Sequence, residues 1–175
     1  MAEYYILDAE QCDDWISFSV PESWNRGCLT SEFQYIPAGT ERLEVTAGTE
    51  LYDFSLVNEF IPVISKRMKE IFEKLGVDNL YYKKILLDYY GQEEEYWLAL
   101  PPRIKCVDPD CADDDFEAFD DIHDARILDD RVGNYQMFKL FEVGNQEIVI
   151  SKNLKQQLEE CISEENLRGM YIYQL

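Results

Sequence analysis

The chain has 175 residues, of which 36 are acidic and 16 are basic, so its formal net charge is −20. A hydrophobic fraction of 46% and an aromatic fraction of 14% are typical of a globular domain and exclude a disordered acidic tail. So negative a protein repels nucleic acid and anionic membranes, and it is attracted to basic protein surfaces.

The sequence carries no signal for export or for membrane insertion. No stretch approaches the ~20 apolar residues of a membrane helix, and the N-terminal Met-Ala-Glu-Tyr-Tyr-Ile lacks the basic start and apolar core of a signal peptide. The five cysteines are scattered without a Cys-x-x-Cys motif, as is typical of reduced thiols. We therefore expect a cytoplasmic protein.

Residues 1–58 form an N-terminal strand region. Residues 3–7 and 32–36 are rich in aromatic and β-branched side chains, which favours strands. No Pro-, Ser- or Gly-rich linker separates this region from residues 59–175, so we predict a single domain over residues 1–175.

The region from residue 59 onward opens with a strand–helix–strand cassette. The run Pro62-Val-Ile-Ser65 predicts a strand that ends at a serine able to cap a helix. Apolar residues then recur on one face of a 3.6-residue period: Met68, Ile71, Phe72 and Leu75. Gly76 is placed to end this helix in a left-handed conformation, and residues 80–87 predict the second strand.

The same cassette recurs later in the chain, with Ser151 lying 86 positions after Ser65. A β-branched run ends at Ser151, and residues 170–173 are β-prone. The helical stripe between them consists of Leu154, Leu158, Cys161 and Ile162. Both helices begin with a lysine, Lys66 and Lys152, followed in the first by Arg67. We interpret these as solvated positions that tolerate the mildly unfavourable helix dipole.

Further strands are predicted at residues 95–100, 103–107, 136–143 and 147–150. Gly144-Asn145 between the last two indicates a tight hairpin. Together these elements predict an α+β fold. It is a single domain with a mainly antiparallel sheet and two serine-capped amphipathic helices, organised as the repeated strand–helix–strand cassette.

Half of the net charge lies in one segment, from Asp108 to Asp130, where eleven carboxylates accompany the single Arg126. Such a field accelerates encounter with a basic protein. A solvated loop that only aids solubility would have the same composition. Charge alone does not separate these interpretations.

The sequence contains no recognisable catalytic constellation. The single histidine, His123, lies within the acidic segment, and no Gly-x-Ser-x-Gly nucleophile motif is present. Cys106 and Cys111 have the wrong spacing for a zinc site, and no glycine-rich phosphate loop follows any strand. We therefore predict no catalytic residues, no metal site and no cofactor.

Calcium binding is a weaker alternative. An EF-hand loop that started at Asp113 would have Asp115, Glu117 and Asp121 at ligand positions, but Ala118 replaces the required glycine and Asp124 the bidentate glutamate. A hydrolase that uses a pair of acids is a further alternative, although no feature selects a pair.

The order of these elements resembles that of bacterial polymorphic-toxin immunity proteins, in a small α+β family related to a myxobacterial immunity domain. The likeness covers roughly residues 50–175. The matching features are Pro62-Val-Ile-Ser65, Arg103-Ile-Lys-Cys-Val-Asp108, Ile148-Val-Ile-Ser151 and Gly169-Met-Tyr-Ile-Tyr173. The long aspartate run departs from the family pattern, so the resemblance supplies no contact residue.

This resemblance implies a non-catalytic protein that binds and neutralises one cognate toxin, with an acidic surface meeting a basic toxin domain such as a nuclease. Acidic and aromatic side chains are the candidates for partner binding: Asp110, Asp113, Asp114, Asp115, Phe116, Glu117, Phe119, Asp120, Asp121, Glu93, Glu94 and Glu95. Tyr96 and Trp97 follow what we interpret as an acidic turn, and with Phe116 and Phe119 they are candidate apolar anchors. Core packing is the alternative role for all four aromatics.

A second hypothesis is an acidic nucleic-acid mimic that inhibits a DNA-binding protein. The spaced carboxylates of the acidic segment could imitate phosphates. A mimic would bind several unrelated DNA-binding proteins, whereas an immunity protein would bind one partner.

Overall fold

The computed structural model describes residues 3–111, 122, 125–141 and 147–175. The strands are β1 (Tyr4–Ala9), β2 (Ser17–Phe18), β3 (Glu41–Ala47), β4 (Phe54–Val57), β5 (Ile61–Ser65), β6 (Tyr81–Tyr89), β7 (Gln92–Leu100), β8 (Arg103–Ile104), β9 (Met137–Leu140), β10 (Ile148–Ser151) and β11 (Met170–Gln174). The helices are α1 (Ser23–Thr30), α2 (Lys66–Lys74), α3 (Asp129–Val132) and α4 (Lys152–Glu165). Short 3-10 turns lie at Phe33–Tyr35 and Pro109–Cys111.

The strands form two mixed sheets. One has the order β11-β1-β10-β9-β8 and the other the order β2-β3-β6-β7-β5-β4. Two pairs are parallel, β3 with β6 and β8 with β9, and the other described pairs are antiparallel. The predicted α+β class with mainly antiparallel pairing is confirmed.

Each cassette folds as a split β-α-β unit. In the first unit, β5 and β6 both pair antiparallel with β7, so they run parallel to each other on either side of it. In the second unit, β10 and β11 both pair antiparallel with β1 in the same way. The sequence repeat therefore corresponds to a structural repeat, with one unit in each sheet.

The two units share a central core, because both helices and one face of each sheet point into it. The residues that build it include Leu7, Phe54, Ile64, Met68, Ile71, Phe72, Ala99, Met137, Ile148, Ile150, Leu154 and Leu158. The predicted helical stripes are confirmed, with Leu75, Cys161 and Ile162 packing at the core margin. One core that joins both sheets makes the molecule a single compact domain.

The opposite face of each sheet is covered separately. Alternating residues of β5 to β7 pack with Trp24 and Cys28 of α1. On the other sheet, Phe138, Leu140 and Val149 pack under the segment that carries Cys106, Val107 and Ile122. The sequence pattern does not predict α1, β3 or β4, since their buried residues are few and irregularly spaced.

The predicted serine caps are present at both helices. The Ser65 hydroxyl accepts a hydrogen bond from Met68 N at 3.1 Å, and that of Ser151 accepts from Leu154 N at 3.2 Å. Gly76 follows α2 with φ of 75°, which confirms its predicted left-handed conformation.

Arg67 was expected to be a solvated residue, but in the structure it connects the two units. Its guanidinium bonds the buried Asp53, with Nε–Oδ1 at 3.2 Å and Nη2–Oδ2 at 2.5 Å. Its Nη1 also donates to Glu165 O, the last carbonyl of α4, at 3.1 Å. Asp53 accepts two more bonds, from Ser65 Oγ at 2.7 Å and from Arg168 N at 3.0 Å. One buried carboxylate thus binds the start of α2 to the end of α4.

Several predicted strand boundaries were wrong. Residues 32–36 contain the 3-10 turn Phe33–Tyr35, with Tyr35 N bonded to Glu32 O and Ile36 N to Phe33 O, and none of the described strands pairs with them. Of their aromatic side chains, Phe33 remains more than half exposed and stacks on Tyr81. The strand predicted at residues 103–107 is limited to β8, and the described part of the strand predicted at residues 136–143 is limited to β9. The Gly144-Asn145 turn lies outside the described residues.

Among the helices in the described part of the chain, none combines the length and apolar character that crossing a bilayer requires.

Candidate partner-binding surface

The acidic segment leaves and re-enters the fold at one point. Val107 and Ile127 form an antiparallel bridge, Asp108 N donates to Arg126 O at 2.8 Å, and Leu128 N donates to Cys106 O at 2.8 Å. Ile122 is buried under the same sheet face, with an exposed fraction of 2%. The segment is therefore attached to the outer face of the β1–β10–β9 sheet at both ends and at Ile122.

Most of the predicted contact residues in this segment fall outside the described residues: Asp113, Asp114, Asp115, Phe116, Glu117, Phe119, Asp120 and Asp121. Asp110 is described and exposed in the 3-10 turn, where its N–H bonds the Asp108 carboxylate at 3.1 Å. Residues 113–124, which include His123 and the calcium-loop alternative, also fall outside the described residues except for Ile122.

The second acidic group, Glu93, Glu94 and Glu95, is not a turn. These residues open β7, and the turn before them is Tyr90-Gly91, whose φ values of 51° and 86° form a tight two-residue hairpin. The turn forms before the glutamates because Gly91 supplies the positive φ that the connection between β6 and β7 needs.

Two carboxylates of this group already have cationic partners within the protein. Glu93 pairs with Arg42 on β3, and Glu95 pairs with Lys84 Nζ at 2.8 Å. The hydrogen bond from Lys84 is the main cause that lowers the pKa of Glu95. Because their charge is largely compensated, Glu93 and Glu95 attract a partner less strongly than unpaired acids would.

The two aromatic candidates beside this group differ in exposure. Tyr96 is buried and its hydroxyl donates to Tyr52 O at 2.7 Å. It is therefore a core residue, which is the alternative role given above, and it is not available as an anchor. Trp97 lies half-buried on the opposite strand face, with the Lys69 ammonium 4.9 Å from the ring centroid. Its indole N–H bonds the Glu95 carboxylate at 3.2 Å.

A further concave surface, which the sequence analysis does not predict, lies between the two sheets. We call it the acidic cleft. It has a volume of about 680 Å³ and opens between β1, the following residues 10–17, and the β4–β5 hairpin. Five carboxylates line it: Asp8, Glu10, Asp13, Glu59 and Glu147. Three aromatic residues, Trp15, Tyr52 and Phe60, contribute to its walls. These residues are far apart in sequence, which is why no local pattern indicates the cleft.

Within the described ranges, no group of three or more His, Cys, Asp and Glu side chains could hold a metal ion. In the same part of the chain the cysteines form no disulfide, and Cys28 and Cys106 are buried whereas Cys12 and Cys111 are exposed. Burial raises the pKa of the Cys28 thiol to about 11, which makes it unreactive.

A family model supplies an independent comparison. The model of the immunity protein family Imm11 matches residues 40–174. The matched range runs from β3 to β11 and contains both helices of the repeated cassette, whereas β1, β2 and α1 precede it. No curated protein matches the chain in sequence. The match agrees with the resemblance that the repeated cassette carries. The chain belongs to the Imm11 family of immunity proteins.

Proposed function

We propose that this protein is a non-catalytic immunity protein that binds and neutralises one cognate antibacterial toxin domain of a polymorphic toxin system. The observation that carries the proposal is the family match over residues 40–174. An immunity protein has a toxin as its partner, and inhibition by binding requires no catalytic group in the inhibitor.

The charge of the chain supports a basic toxin surface as the target. The net charge is −20, and several of the 16 basic residues form ion pairs with acidic residues of the same chain. Nuclease-type toxins carry basic clefts because their substrates are polyanions. An acidic inhibitor is steered to such a cleft at up to ~10⁸–10⁹ M⁻¹s⁻¹. Such a toxin acts in the cytoplasm, which is where we place the inhibitor.

The acidic segment is the proposed steering surface. Its eleven carboxylates are concentrated between Asp108 and Asp130, and the ends of the segment are joined at the Val107–Ile127 bridge. Converting Asp113, Asp114 and Asp115 to asparagine should slow association several-fold at low salt. High salt should remove the difference, because exposed charges are screened beyond ~10 Å at 0.1 M.

A matched control removes the same amount of charge elsewhere. Glu70, Glu160 and Glu164 are exposed on α2 and α4, and their conversion to glutamine should leave the association rate within about twofold. If both triple variants slow association equally, net charge governs the rate and the segment has no special role. If neither does, the acidic segment is a solvated loop.

Phe116 and Phe119 are the proposed anchors within the segment. Replacing either with alanine should raise the dissociation rate and leave the association rate unchanged, because loss of an apolar anchor shortens residence. Stopped-flow fluorescence or surface plasmon resonance would separate the two rates.

The decisive experiment is rescue. Co-expression with the toxin encoded beside this gene should restore growth, and co-expression with an unrelated toxin should not. Failure to protect cells from the adjacent toxin, with the two proteins not binding in vitro, would overturn the proposal. Binding to several unrelated DNA-binding proteins with steep salt dependence would instead identify a nucleic-acid mimic.

A further inference from the structure

The acidic cleft differs from the surface around Glu93 and Glu95 in the side chains that surround its carboxylates. Glu93, Glu95 and Asp53 each pair with an internal arginine or lysine. None of the described residues that line the cleft is a lysine or an arginine. The undescribed residues 112–121 and 142–146 contain none in their sequence either.

Three of the cleft carboxylates are directly available to a partner. Glu10, Asp13 and Glu59 are exposed, and no ion pair joins any of them to a described residue. Like charges that converge on one concavity raise its negative potential, because low-dielectric walls focus the field. The cleft is therefore suited to a positively charged group.

The aromatic residues of the cleft add a second, independent attraction for the same kind of group. Trp15 and Phe60 are half-buried in the wall of the cleft, and the Trp15 ring packs on the buried Tyr52 with ring centroids 6.0 Å apart. Cations, guanidinium in particular, bind favourably over aromatic faces, and the aliphatic stem of an arginine packs against such rings.

The walls of the cleft are held in place by backbone contacts. Glu10 N donates to Gly169 O at 2.9 Å, and Ile16 N donates to Glu50 O at 2.9 Å. Gly48 approaches so closely that an added Cβ would lie 2.0 Å from Trp15 O. Because both ends of residues 10–17 are fixed in this way, the cleft needs little ordering when a partner binds.

We propose that the acidic cleft receives a basic side chain, an arginine or a lysine, from a protruding loop of the toxin domain. This inference rests on the proposed function and gives the interface a second contact point. The volume of about 680 Å³ exceeds what one side chain fills, so flanking residues of the loop enter as well. A guanidinium there lies between carboxylates and over rings, and the acidic segment steers the approach.

The test uses a cysteine that already lines the cleft. Cys12 is exposed, and its rate of alkylation by iodoacetamide can be followed by mass spectrometry of the full-length protein. Saturating toxin should slow alkylation of Cys12 at least fivefold. Exposed Cys111, at the base of the acidic segment, reports separately on that region.

A variant provides the energetic test. Replacing Glu10, Asp13 and Glu59 with glutamine, asparagine and glutamine should raise the dissociation rate about tenfold, because contacts of desolvated charges govern residence. The association rate should change less than in the variant of Asp113, Asp114 and Asp115. The circular dichroism spectrum and melting temperature of the variant should match the parent.

The outcomes separate the two proposals. If the parent binds no toxin, the proposed function fails. If the parent binds but Cys12 reacts at its free rate and the cleft variant dissociates normally, only the cleft proposal fails. Protection of Cys12 by spermidine alone, with no protection by the toxin, would identify a small-cation site and overturn the proposal.

Discussion

The two β-α-β units begin from nearly the same local sequence, but one takes its middle strand from the residues that directly follow it and the other takes it from the N-terminal strand. In the first unit, β7 follows β6 after a two-residue turn, so all three strands lie within residues 61–100. In the second unit, β1 lies between β10 and β11, more than a hundred residues away in sequence. The same strand–serine–helix signal is therefore compatible with a local and with a long-range sheet.

The helices of the two units also differ in what surrounds their first turn. Ser65 and Arg67 contact the buried Asp53, which links α2 to the end of α4. Arg67 corresponds to Asn153 of α4, whose amide donates to Gln136 Oε1 at 3.1 Å in an exposed hydrogen bond. The preceding Lys152 pairs with Glu3 at the surface, where both side chains are about half exposed. The first turns of the two helices thus carry a buried network in one unit and solvent-exposed polar contacts in the other.

Removing Asp53 should have the largest effect on this comparison. We expect Asp53→Ala to lower the free energy of unfolding by about 3 kcal/mol, because Ser65, Arg67 and Arg168 N lose one shared acceptor. Urea denaturation measures the change. Glu3→Ala, which breaks the surface pair of the second unit, is the control and should leave the denaturation midpoint unchanged. Equal losses would contradict the distinction between the units.

Lys139 joins the units through a buried charge. It lies on β9, next to β10, and its ammonium donates to Phe60 O just before β5 at 3.2 Å. Burial lowers its pKa from 10.5 to about 8. Lys139→Met should therefore stabilise the protein near pH 7 by on the order of 2 kcal/mol, since a buried cation is replaced by an apolar group.

The pH dependence of the free energy of unfolding provides a second test of the prediction for Lys139. Between pH 8 and about 10 the unfolded state binds more protons at this lysine than the folded state, so the stability of the parent should rise relative to the methionine variant. The advantage of the variant should shrink over that window. Lys83→Met is the contrasting control, because Lys83 donates to Pro37 O and Gly39 O and lies 3.6 Å from Glu41. Its loss should destabilise at every pH tested.

The two serine caps sharpen the comparison at the level of single hydroxyls. Ser151→Ala should cost about 1 kcal/mol, as loss of an N-cap does. Ser65→Ala should cost about 2 kcal/mol, because the same hydroxyl also donates to Asp53 at 2.7 Å. Equal costs, measured by thermal or urea denaturation, would show that the bond to Asp53 contributes nothing to stability.

The smallest effect is expected at a lysine that both helices share. Lys69 and Lys155 each lie four residues after the capping serine and pair with a glutamate one turn later. Lys69 lies over two rings, Tyr82 at 4.8 Å and Trp97 at 4.9 Å, whereas Lys155 lies over Tyr5 alone at 4.9 Å. Lys69→Gln should cost about 1 kcal/mol and Lys155→Gln about half as much. A larger cost at Lys155 would reverse this order.

Local signals were sufficient for the repeated units and insufficient for their surroundings. The caps at Ser65 and Ser151 and the left-handed Gly76 depend on neighbouring backbone groups, so the sequence pattern predicts them. The turn at residues 33–35 was mistaken for a strand because β-propensity reflects packing, and here Phe33 packs on Tyr81 without a partner strand. The middle strand of the first unit follows from the local hairpin at Tyr90-Gly91, whereas the middle strand of the second unit is decided by tertiary contacts.

The candidate site could be predicted only in part, because some of its features depend on local composition and others on tertiary contacts. Composition alone identifies the acidic segment, but the internal pairing of Glu93 and Glu95 depends on Arg42 and Lys84 across the sheet. The acidic cleft combines Glu10, Asp13, Glu59 and Glu147, which only the folded chain brings together. No period or spacing in the sequence marks such a surface.

The position of β1 has a consequence for synthesis. Its neighbours β10 and β11 comprise residues 148–151 and 170–174, so the Tyr-Tyr-Ile-Leu run of β1 leaves the ribosome long before either partner exists. At roughly 5–20 residues per second, the wait lasts on the order of ten seconds. During that time an apolar strand has two unpaired edges, which is a risk for aggregation. The unit around β7 closes much earlier, and it can offer a preformed surface on which the second sheet is completed.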